Sequence, residues 1–296
     1  MKDAFSKLHP FTNMLFFVFA IGFCMFLMHP VCLMISFIIG LVTAIYLNGK
    51  RTAAFSLKVL LPLLLMTVII NPVFNHSGAT IVEYLPWGNP LTLESIIYGL
   101  AAAVLLCSAV LWFSCFHNVM TSDKFVYLFG KIIPSLSLLL SMTLRFVPRF
   151  RTQLQSVRKA QKAIGKDVSK GSIIKRVRNA VKILSLMISW SLENSIETSD
   201  SMKSRGYGLK GRTSFSIYHL TRFDKICIFV NIAEAALLIA ILFSGQMHCR
   251  YFPTVKYDLC SVSAILFYCV YSLFLLTPLI INVKEEIKWK RLLSAI

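Results

Sequence analysis

Six long apolar runs separated by polar segments make up most of the chain. They cover approximately residues 11–28, 31–47, 55–74, 93–116, 226–244 and 259–282. Each comes close to the ~20 apolar residues that an α-helix needs in order to cross a bilayer. Only a His29-Pro30 turn joins the first two runs, and Pro62 predicts a kink in the third. The pattern therefore predicts an all-α, polytopic membrane protein with about six transmembrane helices.

The composition agrees with a membrane protein and makes the chain strongly basic. Hydrophobic residues occupy 56% of the 296 positions, and the mean hydropathy is +0.70. Soluble domains contain roughly 45–50% apolar residues. The 31 Lys and Arg residues outnumber 13 Asp and Glu residues and give a net charge of +18. In a membrane protein such an excess marks cytoplasmic loops, so we expect the lipid bilayer, and no nucleic acid, as a partner of these bases.

The positions of the bases predict the orientation of the chain. Basic residues precede the first apolar run and follow the second, fourth and sixth runs. With six spans these segments all lie on one side of the membrane, which the positive-inside rule identifies as the cytoplasm. The loops on the opposite side contain only Arg250 and Lys256 as bases. Both termini are therefore expected to be cytoplasmic.

A segment of about a hundred residues separates the fourth run from the fifth. We therefore divide the chain into transmembrane helices 1–4 at residues 1–116, a cytoplasmic or interfacial helical insert at 117–223, and helices 5–6 with a cytoplasmic tail at 224–296. Between Arg145 and Lys182 the insert holds twelve bases and one acid. Most of the net charge of the protein is thus concentrated in this insert.

The first part of the insert contains a short apolar run at 131–148. It ends at Pro148, between Arg145 and Arg149. Its length favours a buried or interfacial helix over a transmembrane span. Residues 149–164 then have the pattern of a separate, polar and basic helix.

A second helix of the insert is predicted to begin near Ser172, a suitable N-cap residue. Apolar positions recur at helical spacing, opposite a basic face, at Ile173, Val177, Ala180, Leu184 and Met187. Such a pattern is typical of a helix at a membrane surface. Three later acids share one face and oppose the helix dipole, namely Glu193, Glu197 and Asp200. Either the helix breaks near Trp190, or another requirement outweighs this penalty.

Both helices of the insert end in similar hexapeptides. The first is AQKAIG at 160–165, and the second is SMKSRG at 201–206. Glycine, which is favoured just beyond a helix C-terminus, closes each of them at Gly165 and Gly206. The first and fourth positions are small, and so allow another backbone to approach closely, at Ala160, Ala163, Ser201 and Ser204. The similarity has two possible explanations. Both segments are ordinary helix C-termini, or both are helix ends that bind partners.

These hexapeptides and several other motifs resemble the transmembrane T component of energy-coupling factor (ECF) transporters, the EcfT and cobalt-type CbiQ family. The coupling helices of that family end in two Ala-Arg-Gly-like motifs. SMKSRG matches the second, with Arg205 and Gly206 in place, whereas AQKAIG has Ile164 where the first arginine is expected. Further matches cover Asn71 to Phe74, Gly88 to Pro90, Thr92 to Ser95, residues 136–148 and Gly206 to Thr213. The resemblance spans most of residues 70–215.

The resemblance implies a mechanical role in the cytoplasmic membrane of a bacterium or archaeon. Two cytoplasmic ABC-type ATPases would bind the helix ends around Ile164 and Arg205, while Arg145, Pro148 and Arg149 would face the membrane or a partner. A separate small membrane subunit would bind the vitamin or metal ion and so choose the substrate. The chain has no GxxxxGK[ST] segment, so ATP would be bound by the partners and no cofactor by this chain.

The main alternative is a stand-alone secondary transporter or channel. Such proteins keep polar or ionisable groups within their spans. Only Glu234, with Asn231 one turn earlier, clearly provides them here. A membrane-embedded enzyme is disfavoured because GxSxG and HExxH are absent, and we assign no catalytic residues. The eight cysteines lack CxxC spacing and the six histidines are scattered, so neither set predicts a metal site.

Overall fold

A computed structural model describes residues 3–49, 54–84, 89–130, 133–166, 168–169, 171–209, 218–244, 249–257 and 262–294. The helices in these ranges are α1 (Pro10–Phe26), α2 (Pro30–Asn48), α3 (Leu61–Phe74), α4 (Leu93–Val119), α5 (Ser122–Gly130), α6 (Pro134–Ala163), α7 (Ile173–Ser204), α8 (Arg222–Phe243) and α9 (Val262–Ser294). Four short strands accompany them, β1 (Ile81–Tyr84), β2 (Pro90–Thr92), β3 (Cys249–Arg250) and β4 (Lys256–Tyr257).

Each of the six apolar runs forms a helix, which confirms the prediction of an all-α membrane protein. Helices α2, α4, α8 and α9 are long and apolar enough to cross a membrane, and α1 and α3 are shorter apolar helices. A π-helical turn at Ser56–Leu60 precedes α3, and Pro62 lies in the first turn of its regular part, where the missing amide of proline costs little. Helix α9 continues to Ser294, well past the predicted end of its apolar run.

The chain forms two compact units, one made of residues 1–124 with 218–296 and the other of residues 125–217. The first unit contains the apolar helices, whose core is rich in aromatic side chains. The Phe16 ring lies 5.2 Å from that of Phe274 and 6.0 Å from that of Trp112, measured between centroids. Trp112 is fully buried, and its Nε1 donates a 3.0 Å hydrogen bond to Ser36 Oγ. A buried indole is therefore paired, as its polar group requires.

Short β-hairpins cover one end of this unit, where the sequence predicted only polar loops. Strands β1 and β2 pair antiparallel, as do β3 and β4. The two loops also contact each other, because Ala79 N donates to Pro253 O at 3.1 Å. Tyr251 Oη donates to Met28 O at 2.6 Å and so ties the second loop to the turn between α1 and α2.

The opposite end of the unit is held by buried polar contacts. Lys124 is 5% exposed and donates to the carbonyl of Val119 at 2.8 Å, and also to the carbonyl and hydroxyl of Ser6. Burial lowers the pKa of Lys124, and the nearby Asp3 carboxylate opposes this shift. His9 N donates to Asp224 Oδ1 at 2.9 Å, which joins the starts of α1 and α8.

Two long helices that cross near their middles make up most of the second unit. The ring of Trp190 on α7 lies 6.1 Å from the rings of Phe146 and Phe150 on α6. The prediction of a helix end at Pro148 was wrong, because α6 runs through it without interruption. Pro148 removes one amide donor, but the aromatic residues on both sides of it pack on Trp190 and hold the adjacent turns together. Helix α7 is likewise continuous through Trp190.

Candidate functional site

The ends of α6 and α7 have the same backbone geometry. Ile164 and Arg205 are the C-cap residues, with φ/ψ of −84°/7° and −86°/10°. The glycines that follow them have positive φ, +78° at Gly165 and +79° at Gly206. Residues that carry a side chain rarely adopt this conformation.

The hydrogen bonds of the two ends also match. Gly165 N donates to Lys162 O and Gly206 N to Lys203 O, both at 3.0 Å. The next amides, of Lys166 and Tyr207, close the six-residue loop that defines a Schellman motif. Sequence reasoning thus located both helix ends, and glycine at the closing position was the signal.

The side chains at the two ends are available to a partner. Ile164 is 68% exposed, so its apolar side chain is open to a partner. Arg205 is exposed too, and its guanidinium has no hydrogen bond or ion pair with any residue in the described ranges. The neighbouring small residues are all exposed, namely Ala160, Ala163, Ser201 and Ser204. Each end therefore offers an unobstructed backbone turn and one projecting side chain.

An apolar groove lies between α6 and α7, with a volume of about 780 Å³. One wall is formed by side chains from α6, namely Met142, Thr143, Phe146, Val147, Phe150, Arg151 and Leu154. The other wall carries hydroxyl groups from α7, at Ser191, Ser195, Thr198 and Ser199. Met202, Lys203 and Tyr207 extend the groove to the end of α7, so it reaches the helix end that carries Arg205.

The three residues predicted to face the membrane or a partner occupy the middle of α6. Arg145 and Pro148 are exposed, while the guanidinium carbon of Arg149 lies 5.9 Å from the centroid of the Trp190 ring, a cation–π distance. Arg149 and Trp190 line a polar pocket of about 230 Å³ together with Glu193, Asn194 and Glu197. Arg149 shares this pocket with both glutamates, but in the described part of the structure its guanidinium lies within ion-pair distance of neither.

The side chains at these surfaces are of the kinds that bind other molecules. Within the described ranges, no group of three His, Cys, Asp or Glu side chains is placed to hold a metal ion. The exposed groups are bases, acids, hydroxyls and apolar side chains, which suit contacts with a protein or a lipid.

Comparison with known proteins relates the chain to membrane transporters. The family model of the cobalt transport protein, CbiQ, matches residues 2–215. The energy-coupling factor transporter transmembrane protein EcfT 1 of Listeria monocytogenes serotype 1/2a (strain 08-5578) is 28% identical over 214 residues, 67% of this chain and 78% of the relative.

Other relatives bear the name energy-coupling factor transporter transmembrane protein EcfT. That of Staphylococcus aureus (strain 04-02981) is 25% identical over 246 residues, 78% of this chain and 90% of the relative. That of Lactobacillus helveticus (strain DPC 4571) is 32% identical over 117 residues, 39% of this chain and 41% of the relative. Because the family model matches well over half of its residues, the chain belongs to the cobalt transport protein (CbiQ) family, the family of transmembrane T components that its motifs resemble.

Proposed function

We propose that the protein is the membrane scaffold subunit of an ATP-driven importer of the ECF type. In this role it couples two cytoplasmic ABC-type ATPases to a separate small membrane subunit, which binds a vitamin or metal ion. ATP is bound and hydrolysed by the ATPases, and this chain binds no cofactor. Energy-coupling factor transporters are named in the relatives, which supports the class of transporter.

The observation that carries the proposal is the pair of matched helix ends. Two ATPases need two binding sites, and α6 and α7 present two superimposable backbone turns with one projecting side chain each. A basic side chain at such an end makes a charge-assisted contact with an acidic groove, which is about twice as strong as a neutral hydrogen bond. Arg205 is the polar anchor for one ATPase, and Ile164 makes an apolar contact with the other.

The two helices also have the mechanical form that coupling requires. Helices α6 and α7 contain 30 and 32 residues without interruption, so each is about 45–48 Å long. They touch at Trp190, Phe146 and Phe150, near their middles. A displacement at either end therefore turns a whole helix about this crossing instead of being absorbed by a hinge.

The proposal includes an orientation and a location. Both termini and the ends of α6 and α7 lie in the cytoplasm, because the segments rich in Lys and Arg would otherwise be outside. The membrane is the cytoplasmic membrane of a bacterium or archaeon.

Affinity purification in mild detergent tests the proposal. The expected result is co-purification of ATPase subunits and of a small apolar membrane protein with the tagged chain. The purified chain alone, in liposomes, is expected to transport nothing. Solute transport by the chain without ATPases would overturn the scaffold proposal.

One observation favours the alternative of a stand-alone transporter. Asn231 on α8 is 1% exposed, and neither polar atom of its side chain has a partner in the described part of the structure. One Glu234 oxygen, a turn further along, is also buried and unpaired. Intramembrane polar groups of this kind mark ion or substrate paths in many transporters. Transport by the wild-type chain alone in the same liposome assay, abolished by Asn231→Leu, would establish such a path here; no transport by the wild type argues against it.

A further inference from the structure

The polar pocket between α6 and α7 has no role in the proposed function. Arg149 on α6 lines one side of it, and Trp190, Glu193, Asn194 and Glu197 on α7 line the rest. Its volume of about 230 Å³ is small beside the roughly 300–1,000 Å³ of small-molecule sites. The pocket therefore has room for one side chain and the backbone groups next to it, but not for a second helix.

Two carboxylates in this pocket lack a cation. Glu193 and Glu197 lie one turn apart and are exposed, and neither has an ion pair in the described part of the structure. Like charges at this spacing repel each other, and acids late in a helix also oppose its dipole. Arg149 stacks on the ring of Trp190 instead of pairing with them. Two acids and one base give the lining a net charge of −1, which one further cation would neutralise.

Asn194 brings an unused hydrogen-bond donor to the same pocket. The residue is 5% exposed, and its Nδ2 has no hydrogen-bond partner within the described ranges. Buried polar groups are almost always paired in folded proteins, so an unpaired one calls for a partner from outside the chain. An oxygen acceptor would pair this amide. The pocket thus lacks both a cation and an acceptor.

The C-terminal turn of an α-helix supplies both groups together. Its last carbonyls have no partner within the helix, and Lys or Arg is favoured there by the helix dipole. The base would lie beside Glu193 and Glu197, and a free carbonyl would accept from Asn194 Nδ2. A metal ion alone would neutralise the carboxylates but would leave the amide donor unpaired.

The pocket lies on the polar side of α7. At 100° per residue, Glu193 and Glu197 are about 180° around the helix from Leu184 and Ile188, two of its exposed apolar residues. A zwitterionic lipid headgroup also combines a cation with oxygen acceptors, but its acyl chains would need the apolar side of the helix. The position therefore favours a water-soluble protein as the source of the ligand.

We propose that this pocket binds the C-terminal turn of a helix from one of the cytoplasmic ATPases, with a lysine or arginine of that turn paired with Glu193 and Glu197. Asn194 Nδ2 donates to a carbonyl of the same turn. The inference rests on the proposed function, and it adds a contact where α6 and α7 cross, away from their ends.

The first test measures ATPase affinity in the complex of the full-length chain. Two double variants remove the same charge from α7, namely Glu193→Gln with Glu197→Gln, and Glu193→Gln with Asp200→Asn. Asp200 is exposed and does not line the pocket. We expect at least ten-fold weaker binding in the first variant and only a few-fold loss in the second, because Glu197 still pairs with the base. Equal affinities of the two variants would overturn the inference.

The second test separates binding from a structural role. Asn194→Leu removes a buried donor that is unpaired in the chain alone, so the unfolding temperature of the isolated chain is expected to stay the same or rise. ATPase affinity is expected to fall about three- to ten-fold, because the carbonyl of the partner loses its donor. A lower unfolding temperature with unchanged affinity would show that Asn194 serves the fold and not the partner.

Photo-cross-linking then identifies the occupant. Benzoylphenylalanine is genetically encoded at position 197 and, as a control, at Leu192, which is exposed and does not line the pocket. We expect position 197 to join an ATPase peptide that contains a helix C-terminus with a lysine or arginine. Exchange of that base to Glu, together with Glu197→Arg, is expected to restore the affinity that either change alone removes. Cross-linking to a lipid, or to a peptide without a base, would contradict the proposal.

The outcomes distinguish this inference from the proposed function. If no ATPase co-purifies with the wild-type chain, the proposed function fails and this contact fails with it. If the ATPases co-purify and both double variants retain them equally, only the contact at the pocket is overturned.

Discussion

Reversal of the charge at Arg205 is the sharpest test of the coupling surface. The side chain has no partner within the described ranges, and the backbone bond from Arg205 N to Ser201 O at 3.3 Å does not depend on it. An acid at a helix C-terminus costs about 0.3–1 kcal/mol against the dipole. Arg205→Glu is therefore expected to reduce the free energy of unfolding by at most about 1 kcal/mol.

The expected effect on partner binding is much larger. Breaking one side of a buried, charge-assisted contact costs about 2–5 kcal/mol, much of it from the partner charge left unpaired. This corresponds to a loss of affinity of roughly 30-fold or more, and Arg205→Glu is expected to exceed it because it places like charges together. The predicted loss of binding free energy is larger than the predicted loss of folding free energy. An effect on ATPase binding can therefore be distinguished from an effect on folding.

The assay compares Arg205→Glu with Lys203→Glu, which makes the same charge change two residues earlier on the same helix end. Retention of each ATPase on the purified membrane subunit is measured by quantitative mass spectrometry, with the unfolding temperature and substrate uptake beside it. We expect loss of one ATPase with Arg205→Glu and near wild-type retention with Lys203→Glu. If both variants retain both ATPases and full uptake, Arg205 is only a helix cap and the reasoning is refuted.

The other helix end provides a matched comparison. Ile164 is 68% exposed in the chain alone, so Ile164→Ala is expected to leave the unfolding temperature unchanged. If an ATPase covers the side chain fully, the truncation weakens its binding by about 1–3 kcal/mol of lost apolar burial. Ile164→Arg is tolerated only where the facing groove contains an acid. Wild-type retention of both ATPases by Ile164→Ala would exclude an apolar anchor at this position.

Three further predictions concern the first unit and the orientation of the chain in the membrane. Lys124→Met removes the donor to the buried carbonyls of Ser6 and Val119. The free energy of unfolding is therefore expected to fall by about 2–4 kcal/mol, which is measured as a lower unfolding temperature in detergent. An unchanged unfolding temperature would show that these contacts are dispensable. Glu234→Gln is expected to leave uptake nearly unchanged at equal protein level, whereas complete loss with normal assembly would favour the stand-alone transporter. Single cysteines introduced for impermeant labelling are expected to react from the cytoplasm at position 165 and from outside at 80 and 255, and the reverse pattern would overturn the orientation.

The wrong prediction of a helix end at Pro148 has a clear physical origin. Pro148 ends a helix in isolation because it removes a hydrogen bond and crowds the preceding turn. In the folded unit the contacts of Phe146 and Phe150 with Trp190 outweigh that penalty, and α6 continues. Helix propensity is a local quantity, while the packing that overrides it comes from residues about forty positions away along the chain.

The sequence by itself determined the apolar helices and the two helix ends, because both depend on local sequence or on the requirements of the bilayer. A bilayer requires ~20 apolar residues in each helix, so the six apolar runs identified the six helices. The helix ends at Gly165 and Gly206 were equally clear, since a positive φ at the closing position favours glycine. The order and spacing of these ends and of the motifs at 71–74, 88–90, 92–95 and 136–148 resembled the family to which the chain belongs.

Only the tertiary structure decided which surfaces are covered and which stay open. The period of 3.6 residues places Leu184 and Met187 near one another, yet the fold buries Met187 and leaves Leu184 exposed. Likewise Lys124 has the sequence context of a solvated base, but the carbonyls of Ser6 and Val119 meet around it in the fold. Burial depends on which distant segment packs against a residue, and a local pattern carries no information about the identity of that segment.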